Sequence, residues 1–231
     1  MDVAADAVQA ASAAGARPAP AARRRWPRWV AAALLVLLSA AGFLTYRYSL
    51  RDRYFKPRAF AVVEPGKVYR SGQISAPLVR ETLTKNGIKS LVVMMGDDPN
   101  EPDWRAEKRT ADELGIVRNH CPLAGDGTGR WERYADALQH VAEAELAGRP
   151  VLIHCVTGTQ RTGGAVALYR VLLQGRPAGE AYRELVAAGH DPDDNPDLVP
   201  FLNAHMAEIA GELVRRGVLK KVPDPVPVLK P

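Results

Sequence analysis

Residues 154–163 read His-Cys-Val-Thr-Gly-Thr-Gln-Arg-Thr-Gly, which sets a cysteine, Cys155, six residues before an arginine, Arg161. A free thiol ionises near pH 8.5, so its nucleophilic form is scarce at neutral pH. Lowering that value by roughly three units takes about 4 kcal/mol of preference for the thiolate. The surrounding residues suit that task. Pro150-Val151-Leu152-Ile153 reads as a short buried strand, and Gly164 to Leu173 reads as a helix carrying Val166, Leu168, Val171 and Leu172. A loop that leaves a strand and opens a helix gathers backbone N–H groups and the positive end of the helix dipole on one point. An anion held there sits in front of the thiol.

Each residue of the loop has an expected part. Arg161 offers a planar fork that grips two oxygens of a phosphate, and the grip tightens as charge develops. Gly158 permits a turn that a β-carbon would obstruct. The Thr162 hydroxyl can stabilise the sulfur as a leaving group. His154, at a strand end, is expected to point away from the anion and to support the loop together with Gly163. Val156, Thr157, Gly158, Thr159, Gln160 and Thr162 line the anion site. Five specified positions coincide by chance in a chain of this length on the order of once in ten thousand.

The elements that must position this loop follow from periodicity. Phe60–Val63 and Lys67–Tyr69 read as an antiparallel pair around Glu64-Pro-Gly66. Ala76 to Asn86 is a helix stopped at Gly87, Ile88 to Met94 a strand, and Trp104 to Leu114 a helix stopped at Gly115. Ile116 to Leu123 is a further strand, followed by the Gly-rich loop Ala124–Gly129 and a helix from Trp131 to Ala147. Helices over 161–174, 177–188 and 197–216 complete the pattern, which is that of an α/β domain. The ending Val222-Pro-Asp-Pro-Val-Pro-Val-Leu-Lys-Pro231 predicts an extended, polyproline-like course.

The formal charge of +5 is unevenly placed. Residues 1–58 carry +7 and residues 59–231 carry −2, so the folded part gives no case for nucleic-acid binding. The only cysteines are Cys121 and Cys155, which make neither a disulfide framework nor a metal spacing. Residues 1–28 read as a disordered basic tail. Residues 29–46 are eighteen uncharged positions bordered by Trp26, Trp29, Tyr46 and Tyr48, which predicts a transmembrane helix. A cleaved signal ending near Ser39-Ala40-Ala41 is the competing reading, and a buried core helix a third. Basic residues flank both ends, so orientation rests on the habit of a first apolar segment to keep its N-terminus in the cytoplasm, which would export the domain. Residues 47–58 form a basic juxtamembrane linker, 59–216 the catalytic domain and 217–231 a Pro-rich tail.

His-Cys-x-x-Gly-x-x-Arg-Thr resembles the signature of the cysteine-dependent tyrosine and dual-specificity phosphatases. Val68-Tyr69-Arg70-Ser71-Gly72-Gln73, followed by Gly87-Ile88-Lys89-Ser90-Leu91-Val92, is similar to the opening of the atypical bacterial, plant and fungal dual-specificity members. The resemblance covers roughly 59–216. It implies a central sheet of four or five mostly parallel strands flanked by helices, a cysteinyl-phosphate intermediate, and no metal or organic cofactor. It also implies a general acid on a loop about thirty residues before the cysteine. Asp126 lies 29 residues upstream, in a Gly-flanked loop. Asp97 and Asp98 are the alternatives, Glu132 belongs to a helix first turn, and Asp191–Asp197 is a solvated loop.

The middle of the loop, Val156 to Gln160, carries no cation, whereas relatives that act on densely phosphorylated inositols tend to place basic residues there. A phosphoprotein or small phosphomonoester is therefore the expected substrate. The alternatives are an inositol poly- or pyrophosphate phosphatase, a catalytically weak phosphate-binding module, and, less favoured by the His154 and Thr162 neighbours, sulfur transfer. Cys121, on the strand leading to the Asp126 loop, raises a further possibility: a protective disulfide with Cys155.

Overall fold

A computed structural model describes residues 28–231; all but the last residue of the tail expected over 1–28 lies outside them. The described chain falls into two compact units, divided after Phe43.

In the N-terminal unit, helix α1 (Arg28–Thr45) bears Trp29, Leu35, Val36, Leu37, Leu38 and Phe43, all exposed. Its eighteen residues rise about 27 Å, against an apolar bilayer core of about 30 Å. Among the described residues no helix is long and apolar enough to cross a membrane. The transmembrane span expected over 29–46 is thus not supported. The apolar run stops at Thr45, and the chain continues as a π-helical stretch, Tyr46–Phe55, with arginines at 47, 51 and 53.

The larger unit is built on a mixed five-stranded sheet. Its strands are β1 (Ala61–Glu64), β2 (Val68–Ser71), β3 (Ser90–Val93), β4 (Val117–His120) and β5 (Val151–His154). They lie in the order β1-β2-β5-β3-β4, with β1 antiparallel to β2 and the rest parallel. This agrees with the expected α/β architecture. The strand ending in His154 sits centrally, between β2 and β3. Both its faces are covered, which explains its unbroken apolar run.

Strand pleating divides the core in two. Tyr69, Leu91, Val93 and Leu152 point to one face, beneath α2 (Ala76–Lys85) and α3 (Pro102–Leu114). Val68, Val92, Val151 and Ile153 point to the other. There they meet α4 (Glu132–Leu146), α5 (Gln160–Leu168), α7 (Leu198–Ala204) and α8 (Met206–Arg215). Helix α6 (Ala178–Ala187) adds Ala181 and Leu185 to that face.

Helix ends follow local chemistry. Glu101 caps α3 by accepting from the Trp104 N–H, with Pro102 at the first turn, and Gly115 closes the helix at φ 62°. The helix expected over 161–174 is α-helical only to Leu168 and continues as a π-helical turn, Tyr169–Leu173. The helix expected over 197–216 is broken at His205 into α7 and α8. The C-terminal residues form neither helix nor strand, yet they dock. Leu229 is buried, and the Asn203 carboxamide both donates to the Leu229 carbonyl at 2.9 Å and accepts its N–H at 2.8 Å.

Candidate active site

Cys155 is the first residue after β5, and α5 begins at Gln160, so residues 155–159 form the turn between them. The thiol is buried, and the Gly158 N–H points at its sulfur from 3.3 Å. Burial alone would raise its pKa. That effect is outweighed by hydrogen bonds from the Thr162 hydroxyl and N–H, by the Arg161 charge and by the Gly158 N–H, and the thiol is held below its ordinary value. The Thr162 hydroxyl is buried with no other partner among the described residues. Among the described residues the buried Arg161 Nε has no acceptor, as expected of a group reserved for an anion.

The shape of the loop is imposed from β2, and this is what the sequence reading missed. Arg70 is buried and donates from Nη2 to the Gly158 carbonyl at 2.5 Å. The Gln73 N–H donates to the Val156 carbonyl at 3.1 Å. A peptide's N–H and C=O point in opposite directions. Drawing these two carbonyls toward residues 70–73 therefore turns the Thr157 and Thr159 N–H groups the other way, where the Thr159 N–H meets the Thr157 hydroxyl at 3.4 Å. The approach is tight. A β-carbon on Gly158 (φ +82°) would stand 2.6 Å from the Gly72 nitrogen, and one on Gly72 would stand 2.9 Å from the Val156 and Thr157 carbonyl oxygens. The physical meaning of the Tyr69-Arg-Ser-Gly72 motif is a brace.

The His154 side chain is turned to α3. Its Nε2 lies 3.0 Å from Oε2 of Glu107, a buried residue of α3, while Glu107 Oε1 accepts from Arg118 Nε at 3.0 Å. Burial works against both charges, but each partner's charge prevails. The His154 pKa is raised and the Glu107 pKa lowered, so imidazolium and carboxylate face each other inside the fold.

The acid candidates separate cleanly. Asp97 accepts from Trp104 Nε1 at 2.7 Å and from Arg118 Nη1 at 3.1 Å, and His120 Nδ1 lies 3.6 Å away. Its slight burial raises its pKa, but those three partners hold it below the ordinary carboxylate range, which is the wrong direction for a proton donor. Asp98 is exposed and caps a turn through the Asn100 N–H at 3.0 Å. Glu132 is the first residue of α4 and faces Arg130 at 3.7 Å.

Asp126 is half-buried, with Oδ1 accepting from the Thr128 N–H and hydroxyl at 2.8 and 2.9 Å. Its loop abuts the catalytic turn. A β-carbon on Gly127 would stand 3.5 Å from the Gln160 carbonyl carbon and 2.6 Å from Leu198 Cδ1. The Tyr134 hydroxyl, fully buried under the site, donates to the Gly127 carbonyl at 2.7 Å. The same hydroxyl would lie 2.7 Å from a β-carbon on Gly164. One tyrosine thus ties the Asp126 loop to the helix that starts at the anion site.

Cys121 is buried in the same apolar cluster as Cys155. Burial and the charge of Asp136 push its thiol up to about 12, and its other charged neighbours are Arg133 and Arg216. Both cysteines are free, so no disulfide joins them in this structure.

Comparison with known proteins agrees with this arrangement. Residues 97–178 match the model of a tyrosine phosphatase family. The chain is similar to TpbA from P. aeruginosa at 25% identity, over 72% of this chain and 94% of that one, with a TM-score of 0.55. A TpbA structure in complex with phosphotyrosine matches at 24% identity, over 71% and 98% of the two chains, with a TM-score of 0.52. The core catalytic domain of the PP-IP phosphatase SIW14 from S. cerevisiae shares the fold at 20% identity, over 72% and 97%, with a TM-score of 0.56.

Proposed function

We propose that this cysteine-dependent phosphatase hydrolyses phosphotyrosine and related phosphomonoesters through a cysteinyl-phosphate. Cys155 is the nucleophile, Arg161 the phosphate clamp, and Asp126 the general acid and base. In the first step the thiolate attacks phosphorus, the ester P–O bond breaks, and the leaving oxygen takes the Asp126 proton. In the second, water attacks phosphorus and gives its proton to the Asp126 carboxylate. The S–P bond then breaks, returning the thiolate to the Thr162 and Gly158 donors and releasing inorganic phosphate. The observation that carries this reading is a buried thiol held below its ordinary pKa beside a guanidinium with an unused Nε.

The substrate preference rests on the absence of cations at Val156, Thr157, Thr159 and Gln160, since clustered phosphates need several. The likeness to the PP-IP phosphatase keeps an inositol pyrophosphate as the second candidate. Rates on phosphotyrosine peptides, phosphoserine peptides and an inositol pyrophosphate decide between them. A purified protein faster on the pyrophosphate overturns the preference; one inert towards all three and towards aryl phosphates is a binding module instead.

Asp126→Asn is expected to lower kcat on an aryl phosphate with a poor leaving group by about 10²–10⁴-fold. It should also remove the fall in rate at high pH that marks loss of a proton donor. An unchanged high-pH limb would move the role elsewhere.

Location belongs to the same reading. The exposed apolar surface of α1 attaches the domain to a membrane, and extraction of the full chain from cell membranes by detergent but not by high salt is the expected result. Release by salt alone would count against it.

A further inference from the structure

The chain makes one unfavourable turn on its way into β1. Ala59 holds φ at 48°, and among the described residues it is the one non-glycine residue with a positive φ. A β-carbon makes that conformation costly, and the Ala59 side chain is exposed, so no packing of its own offsets the cost. Such a residue persists where its surroundings require the geometry.

Here the requirement comes from Gly72. The turn presents the Arg58 carbonyl to the Gly72 N–H, which donates to it at 2.8 Å. Gly72 is buried, so that N–H needs an acceptor inside the fold. The Gly72 nitrogen is also the atom that a β-carbon on Gly158 would meet first, at 2.6 Å. The Gly158 N–H in turn points at the Cys155 sulfur. Three contacts thus run from an exposed elbow to the nucleophile.

The elbow is one of several points where residues 53–60 lie along residues 69–75. The Phe60 ring stacks on the Tyr69 ring with centroids 5.9 Å apart, and the Arg53 carbonyl accepts from the Ser75 hydroxyl at 2.7 Å. The Arg53 guanidinium lies 3.9 Å from one Asp103 oxygen, and the other accepts the Ala76 N–H at 2.7 Å. Gln73, beside Gly72, donates its side-chain amide to Glu101 at the start of α3, at 2.7 Å. The brace of the catalytic turn is therefore itself held by two partners, α3 and the residues ahead of β1.

We propose that Ala59 is a positioning residue for phosphoryl transfer: its left-handed turn aims the Arg58 carbonyl at Gly72, and the seated Gly72 keeps Gly158 against the Cys155 sulfur. Residues 53–60 then belong to the working site, and drawing them off residues 69–75 slackens the anion turn. When the Arg58 acceptor is withdrawn, Gly72 must shift to find another, and Gly158, which touches it, shifts too. The thiolate loses a donor and the anion loses its fitted turn. The inference rests on the reading of Cys155 as a thiolate nucleophile.

The test uses the full-length protein and three measurements: competitive inhibition by inorganic phosphate, the pH dependence of Cys155 alkylation by iodoacetamide, and thermal unfolding. Ala59→Pro fixes φ near about −65° and cannot hold the elbow. It is expected to weaken phosphate binding about tenfold, the scale of one lost hydrogen bond, and to move the alkylation profile to higher pH. Ala59→Gly, which takes a positive φ freely, should restore wild-type affinity and profile. If the proline protein does not fold, Ala59→Val, whose branched side chain disfavours the turn without forbidding it, reads the same shifts at smaller size. A folded proline or valine protein with a lower melting temperature but unchanged phosphate affinity and alkylation profile overturns the proposal, because the elbow then serves stability alone. So does a glycine protein as impaired as the proline one, since glycine keeps the turn. If Cys155 of the wild type alkylates as an ordinary thiol, half-maximally near about pH 8.5, the nucleophile reading itself has failed, whatever the variants show.

Discussion

Cys155→Ser is expected to reduce turnover of an aryl phosphate by about 10⁴-fold or more while phosphate still binds. The two parts have separate causes. A hydroxyl ionises far less readily than a thiol, and the donors that depress the thiol, namely Thr162, Arg161 and the Gly158 N–H, do not close that gap. Binding depends on the turned N–H groups and the Arg161 fork, and neither is altered. Removing the thiolate even relieves its repulsion of a dianion. Initial rates and equilibrium titration with inorganic phosphate read the two quantities on the same sample. A serine protein that keeps a tenth of the activity would sink the covalent route. One that loses phosphate binding would mean that the sulfur, and not the Arg70–Gln73 brace, organises the loop.

Glu107→Gln is the second large effect, and it falls on stability. The substitution leaves the His154 imidazolium and the Arg118 guanidinium without their shared carboxylate. Breaking a buried pair from one side costs about 3–5 kcal/mol. The effect depends on pH in a defined sense. Glu107 has its folded pKa below the ordinary 4.5, so its contribution is present above that value and is lost as pH falls through the depressed one. His154 has its folded pKa above the ordinary 6.5, so its contribution is complete below 6.5 and is lost as pH rises through the raised one. The penalty should therefore be greatest between about pH 4.5 and 6.5. It should shrink in stronger acid, and shrink in part in alkali, where the Glu107–Arg118 bond persists. Urea unfolding of both proteins across pH 3.5–9 measures it; a loss under about 1 kcal/mol near pH 5.5 would contradict the charged pair.

Much of the sheet and of the site's centre could be read along the chain because both depend on neighbours in sequence. The run Val151–Ile153 signals a strand covered on both faces, and the Cys155 to Arg161 spacing carries the anion turn by itself. Strand β4, Val117–His120, is mostly polar because it borders only β3, and it is shorter than the expected Ile116–Leu123 run. What supports the site was hidden for a different reason. Arg70 meets Gly158 across 88 residues and His190 meets Gln160 across 30, and no local pattern encodes such partners. Glu107 did leave a trace. It shares the inner face of α3 with Ala106, Thr110 and Ala111, where a lone carboxylate calls for a buried cation. At α1 no described helix is both long and apolar enough for the expected span, and its eighteen residues lie at the lower end of a span's length.

The bond from the Tyr134 hydroxyl to the Gly127 carbonyl bears on the timing of the reaction. A proton donor on a swinging flap must wait for that flap to shut, and such enzymes often turn over at the pace of closure. Here the peptide beside Asp126 is pinned from below by a phenol and walled by Leu198, with no room for a side chain at Gly127. With Asp126 as the proposed donor, the segment that carries it is moored at Gly127. The pace of turnover is then expected to follow the making and breaking of the sulfur–phosphorus bond rather than a closing flap.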